Sequence, residues 1–205
     1  DYNDQSWTVT RSLNVGAEVR SAAIVGSTLV VSTAGKLYYG SAATHYESLD
    51  QMHSKERNAG WLLPIGENTF FFNDGYLYRG TVSGDELSFS VLIDRQPLDV
   101  QPTADGYLAN FPTHEYYYTI SADAGTATRV TTPLNIHHSQ APDGDGTMWT
   151  LSDDGLRRGD AVDGAFMPNS YHITTTPYYL TYNNSDKLLY LASTTDNAVL
   201  PSANN

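Results

Sequence analysis

The sequence predicts an all-β domain over residues 1–205: a five-bladed β-propeller with four antiparallel strands per blade, its ring closed by the N-terminal strand. Three observations predict it. A short motif recurs five times along the chain, turn-forming residues recur in the same phase, and the chain starts and stops out of step by one strand. The motif is Gly40-Ser41-Ala42, Gly80-Thr81-Val82, Ile120-Ser121-Ala122, Gly159-Asp160-Ala161 and Pro201-Ser202-Ala203, so the repeats end near 42, 82, 122, 161 and 203. Its middle residues are separated by 40, 40, 39 and 42 positions. A fixed period of this length is the mark of a repeat architecture.

Each marker closes a short strand. The clearest are Gly35-Lys36-Leu37-Tyr38-Tyr39-Gly40 and Gly75-Tyr76-Leu77-Tyr78-Arg79-Gly80, followed by Glu115 to Ile120, Gly155 to Gly159 and the degenerate Asn197 to Pro201. A second strand stands one tight turn upstream of each: 28–32, 69–72, 107–111, 147–151 and 187–191. The intervening turns carry Ala34-Gly35, Asn73-Asp74-Gly75, Thr113-His114, Asp153-Asp154-Gly155 and Thr195-Asp196-Asn197. Asn, Asp and Gly tolerate positive φ, which is what a tight hairpin demands. Further upstream come Gly- and Asp-rich turns and then another apolar piece per repeat: 22–25, 61–65, 98–101, 136–141 and 178–182. The remaining residues hold a fourth strand, expected at 87–92, 126–130 and 171–174. Four antiparallel strands every forty residues make a propeller blade.

The fifth repeat ends just past its third strand. The chain opens on an extra strand, Ser6-Trp7-Thr8-Val9-Thr10. Pairing the two completes the fifth blade and removes an exposed sheet edge. Helix is nearly absent: 44–57 is the only stretch with helical content, and it has no apolar stripe.

Hydrophobic residues make up 40% and charged residues 17%, a globular composition. The formal charge of −12 repels phosphate backbones and anionic lipid, and there is no basic run, so nucleic acid is not an expected partner. No apolar stretch approaches the length of a membrane helix, so no membrane insertion is expected. The absence of Cys excludes disulfides, thiolate metal sites and a Cys nucleophile. The first residues, Asp1-Tyr2-Asn3-Asp4, read as a mature or trimmed segment of something longer.

The strand pairs Phe70–Phe72 with Gly75–Gly80, and Leu29–Ser32 with Gly35–Gly40, resemble the blades of tachylectin-like five-bladed lectins. The resemblance covers two of the five repeats and implies the propeller fold. Composition and missing Cys also resemble secreted Bacteroidetes propeller domains of unknown function.

By analogy with other propellers, a ligand is expected where the fourth-to-first connections and the second-to-third turns meet. The candidates there are Arg20, Asn58, Arg95, His114, His137 and Tyr178, which supply charge, hydrogen bonds and aromatic planes. Arg57 and Arg95 have a competing reading as rim residues paired with Glu56 and Asp94. His137 and His138 are neighbours on a strand and point to opposite faces, so the pair alone is a poor metal site. Asp143-Gly144-Asp145-Gly146-Thr147-Met148-Trp149 is similar to the Asp-box turn of sialidase-type propellers but lacks its Gly and Trp, and Asp143 and Asp145 read as a turn before they read as a Ca²⁺ site. Asp99, Glu115, Asp154 and Asp196 are the carboxylates a glycosidase would need. Tyr38, Tyr78 and Tyr118 share one repeat position and are expected to pack between blades, with Trp7, Trp61 and Trp149 in the core. No nucleophile, phosphate-loop or zinc-protease motif is present. The expectation is therefore a monomeric, non-catalytic, extracytoplasmic binding domain that engages a glycan or a protein and uses no metal or cofactor. The alternatives are a carbohydrate-active enzyme and a structural module of a surface protein.

Overall fold

A computed structural model describes residues 12–111, 116–131, 139–142, 148–152, 155–159, 165–166, 179–183, 185–192 and 197–201. The chain divides into two compact units, Asp1–Gln96 and Pro97–Asn205. Strands account for almost all of the regular structure, and each repeat folds as one antiparallel meander.

The first unit holds two four-stranded sheets. Sheet one runs β1 (Val19–Val25), β2 (Thr28–Thr33), β3 (Lys36–Ser41) and β4 (His53–Glu56). Sheet two runs β5 (Leu62–Pro64), β6 (Thr69–Asn73), β7 (Leu77–Ser83) and β8 (Glu86–Ile93). In the second unit, sheet three is β9 (Asp99–Thr103), β10 (Gly106–Asn110), β11 (Tyr116–Ser121) and β12 (Ala127–Thr131). Sheet four is β13 (Ser139–Pro142), β14 (Met148–Ser152), β15 (Gly155–Gly159) and β16 (Ala165–Phe166). Three described strands form sheet five: β17 (Tyr179–Asn183), β18 (Leu188–Ala192) and β19 (Asn197–Pro201).

The expected fourth strands need two corrections. The stretch 44–57 is not helical beyond one 3-10 turn, Leu49–Gln51. It ends in β4, which pairs Lys36 with Glu56 and Tyr39 with His53. All four β4 residues are exposed, so no apolar alternation marks the strand in the sequence. In repeat four the fourth strand is Ala165–Phe166, paired with Arg158 and Arg157. It follows the third strand after a short connection, the cheaper closure, whereas the expected 171–174 lies outside the described residues. So does the closing strand Ser6–Thr10.

The core of the first unit lies between its two sheets. Val25, Val30, Leu37 and Tyr39 of sheet one meet Phe70, Phe72, Tyr78, Val82 and Leu87 of sheet two. Phe70, Phe71 and Phe72 are all fully buried, so β6 is covered on both faces. Each such ring contributes roughly 1.5–3 kcal/mol of transfer free energy. Tyr78 stacks on Phe72 at 4.9 Å and meets Phe89 edge-on at 6.1 Å. The Arg57 guanidinium, from the connection between the sheets, lies 4.3 Å from the Phe89 centroid and 5.2 Å from that of Tyr78. Its expected carboxylate, Glu56, instead faces Lys36 at 3.8 Å. Arg57 therefore fastens the connection between the sheets onto sheet two through ring faces. On the other side of sheet one, Val31, Leu49 and Met52 are buried with Leu13, Val15 and Tyr38 packed on them. In the second unit Trp149 is buried with Ala141, Leu180, Leu189 and Leu191. Trp61 is only half-buried.

The glycine at the repeat marker has a steric cause. A Cβ on Gly80 would stand 2.5 Å from the tip of the Phe70 ring, and one on Gly40 would run into the Tyr46 hydroxyl. Gly75 is different: φ is +72° and open space surrounds it, so backbone conformation selects it.

One position recurs with a polar side chain at the end of the second strand. Val31, Phe72 and Ala109 face Tyr38, Tyr78 and Tyr118 across the ladder. The next residues, Ser32, Asn73 and Asn110, are buried. Ser32 Oγ donates to Ala59 O at 2.5 Å, and Asn73 Oδ1 accepts from the Gly60 and Trp61 amides at 3.0 and 2.9 Å. Asn110 Nδ2 donates to Asp99 Oδ1 at 2.8 Å. Each clasp pins the chain just before or at the start of a first strand. Leu151 and Leu191 hold this position in repeats four and five.

Candidate functional site

The start of β1 brings Arg20 to the end of sheet one where the turn at Ala34-Gly35 lies. Arg20 Nη1 donates to Asn58 Oδ1 at 2.5 Å. The same oxygen accepts from the Gly35 amide at 3.2 Å, and the Gly35 carbonyl accepts from the Arg57 amide at 3.0 Å. The connection between the sheets is thus tied down on the turn of sheet one. The Asn58 amide in turn donates to Asp74 Oδ2 at 3.3 Å, in the equivalent turn of sheet two. Arg20, Asn58 and Asp74 form one hydrogen-bonded line across the ends of two sheets. Among the described residues, Arg20 has no carboxylate within ion-pair distance.

Arg95 lies at the same end of sheet two. Its carbonyl accepts from the Leu77 amide at 3.0 Å, and the Asp74 amide donates to the Tyr76 carbonyl at 3.0 Å, closing the tight turn. Val19, next to Arg20 in the chain, and Tyr76, two residues after Asp74, are both large and exposed. Structure therefore brings together two of the expected residues, Arg20 and Asn58, and puts the Arg95 backbone beside the turn they contact. His114, His137 and Tyr178 lie outside the described residues. So do Asp143, Asp145, Glu115, Asp154 and Asp196.

A second polar cluster occupies the first strand of sheet three. Asp99 Oδ1 accepts from Asn110 Nδ2, and Oδ2 accepts from Gln101 Nε2 at 2.6 Å. Gln101 Nε2 also donates to Leu180 O at 2.8 Å, joining β9 to β17. Burial pushes the Asp99 carboxyl above the usual carboxylate range, and the bonds from Gln101 and Asn110 offset part of that rise. Both carboxylate oxygens already accept amide protons, so the group is built into the second unit. Among the described residues, no three His, Asp or Glu side chains converge as a metal site.

Missed in the sequence were Asp74 as a partner of Asn58 and Tyr76 as an exposed ring. Both belong to the turn Asn73-Asp74-Gly75-Tyr76, and its chemistry was the available signal.

No protein-family model matches the chain, and no curated protein sequence matches it. Solved structures do. YCF48 bound to D1 peptide superposes with a TM-score of 0.53 at 12% identity, over 91% of this chain and 64% of that one. The extracellular domain of BT4673 from B. thetaiotaomicron, described as a one component system, superposes with a TM-score of 0.60 at 11% identity. That match covers 96% of this chain and 31% of the other. At these identities the likeness shows the fold: the chain is a β-propeller, built from antiparallel sheets, four of them four-stranded and one three-stranded among the described residues. No described helix is long and apolar enough to cross a membrane.

Proposed function

We propose that the five repeats are the blades of one propeller, completed by Ser6–Thr10, and that the domain is a non-catalytic binding module of an extracytoplasmic protein. Its partner is a glycan or a protein. The observation that carries this reading is the line Arg20–Asn58–Asp74, with the exposed ring of Tyr76 in the same turn as Asp74. An aromatic plane next to guanidinium, amide and carboxylate groups is the set that stacks on a sugar face and hydrogen-bonds its hydroxyls. A glycan is therefore the favoured partner. One neighbour in fold is bound to a peptide and the other is an extracellular domain, which supports a partner-binding role outside the cytoplasm.

A glycan array with the wild type, Arg20→Ala and Tyr76→Ala tests this. The expected result is saturable binding that weakens at least tenfold in both variants while the melting temperature holds. An array without a hit overturns the glycan reading, and a hit indifferent to both substitutions overturns the site. Ring closure has its own test. Deleting residues 1–12 should lower stability by several kcal/mol, because it opens a sheet edge and removes Trp7; an unchanged melting temperature refutes closure.

The enzymatic alternative draws on Asp99, a buried carboxyl with a raised pKa on a first strand. Its engagement by Gln101 and Asn110 favours a structural role. Hydrolysis of a chromogenic glycoside that Asp99→Asn abolishes would reverse that preference.

A further inference from the structure

The outer edge of sheet two differs from the other described edges. β8 is eight residues long and ends its sheet, with β7 as its single partner strand among the described residues. From Leu87 to Ile93 it reads Leu-Ser-Phe-Ser-Val-Leu-Ile, without a charge, Pro or Gly. Proteins blunt free edges with short strands, charges or Pro. The edge strand β4 follows that rule, with four residues that include Lys55 and Glu56, and β12 carries Arg129 over five. β8 has only a bulge at its far end, where Leu77 faces Ile93 and Tyr78 faces Val91, leaving Leu92 unopposed. The stretch from Glu86 to Val91 is regular.

The β7–β8 turn is Gly84-Asp85, with Gly84 at φ +60° and Ser83 facing Glu86. In such a two-residue hairpin Ser83 and Glu86 exchange both hydrogen bonds. The N–H and C=O groups of Leu87, Phe89 and Val91 then point outward from the sheet. Val91 is also half exposed. A row of outward backbone donors and acceptors takes an extended chain as its complement.

We propose that the β8 edge is a docking site for an extended segment of a partner protein, with small or β-branched residues in its middle and basic residues at its ends. Charge selects this occupant over a second copy of the chain. Antiparallel self-pairing along the whole edge would set Asp85 of each copy opposite Asp94 of the other, and like charges directly opposite are destabilising. The same two carboxylates, both exposed, attract a segment with a basic residue at each end. At the Asp85 end the only ion pair with a described residue is to His53, at 3.7 Å.

The test uses the full chain and a labelled nine-residue peptide, Lys-Thr-Val-Thr-Val-Thr-Val-Thr-Lys, read by fluorescence anisotropy and backbone hydrogen exchange. The expected result is saturable binding with new protection at Leu87, Phe89 and Val91. Val91→Lys and Ser88→Lys, both at exposed positions, should each weaken it at least tenfold, and Arg20→Ala should leave it unchanged. Peptides N-methylated at alternate residues should divide by phase, one losing binding and the other keeping it. Absence of saturable binding overturns the proposal, as does binding indifferent to both lysine substitutions. A dimer in sedimentation that Val91→Lys dissociates would make the occupant a second copy and overturn it equally.

Discussion

Replacing Gly80 by Ala adds one methyl group to the repeat marker of the second sheet. That methyl would stand 2.5 and 2.6 Å from two ring carbons of Phe70 and 3.0 Å from a third. Ordinary carbon contacts begin near 3.4 Å, so ring or strand must give way by close to an ångström. The ring has nowhere to go: Phe70 is fully buried, with Phe72 at 5.7 Å on one side and the rest of the core around it. Forcing an extra methyl into a packed core costs about 1–3 kcal/mol. Removing a glycine from the unfolded chain offsets about 0.4–1 kcal/mol of that. A net loss of about 1–2 kcal/mol follows, or a fall in melting temperature of about 2–8 °C for a domain of this size. Urea unfolding followed by tryptophan fluorescence measures it. The double variant Gly80→Ala/Phe70→Leu should be less destabilised than the sum of the two single changes, since the shorter side chain withdraws the clashing carbons. Strict additivity, or a Gly80→Ala protein as stable as the parent, would refute the steric account of the marker.

Gly75→Val should cost more than about 1 kcal/mol with no clash at all, because a β-branched residue resists φ of +72° in otherwise open space; the urea midpoint checks it. Arg57→Lys should lose about 0.5–2 kcal/mol although the charge is kept, since an ammonium cannot lie flat on Phe89 and Tyr78; a double-mutant cycle with Phe89→Leu would isolate the contact. For Asp99 the sign follows from its raised pKa. The folded state binds the proton more tightly, so the contribution of Asp99 is fully present below the unfolded pKa of about 3.9 and is lost as pH rises through the higher folded value. The stability of wild type relative to Asp99→Asn should therefore be greater at pH 3 than at pH 7, and a difference that shrinks toward acid would contradict it.

The period of forty residues was readable because the third strand repeats both a glycine and a tyrosine, and the core punishes change at each. Second and third strands fell within three residues of their places at every described repeat. Fourth strands were harder to read. β4 is His-Ser-Lys-Glu, exposed at every position, and its pairing with β3 leaves no mark on its composition. Arg20 and Asn58 could be named as neighbours because both lie on connections that converge at one sheet end. Their partner Asp74 sits in a turn whose composition already accounted for it. The Asp99 cluster depends on cross-strand register, with Asn110 facing Asp99, and on the reach of Gln101 to Leu180. Neither relation is local in sequence.

The alternation of Ser32, Asn73 and Asn110 with Leu151 and Leu191 bears on how such a chain can diversify. Copies of one ancestral unit begin as interchangeable parts. Asn73 and Asn110 bond within their own repeats, to Gly60 and Trp61 and to Asp99, so their partners travel with them, whereas Ser32 bonds to Ala59 of the following repeat, and parting repeat one from repeat two strands that hydroxyl in the interior. A recombined chain that separated repeats one and two would inherit that defect, while one that moved repeat two whole would keep Asn73 satisfied, so one seam, and not every repeat, constrains the order.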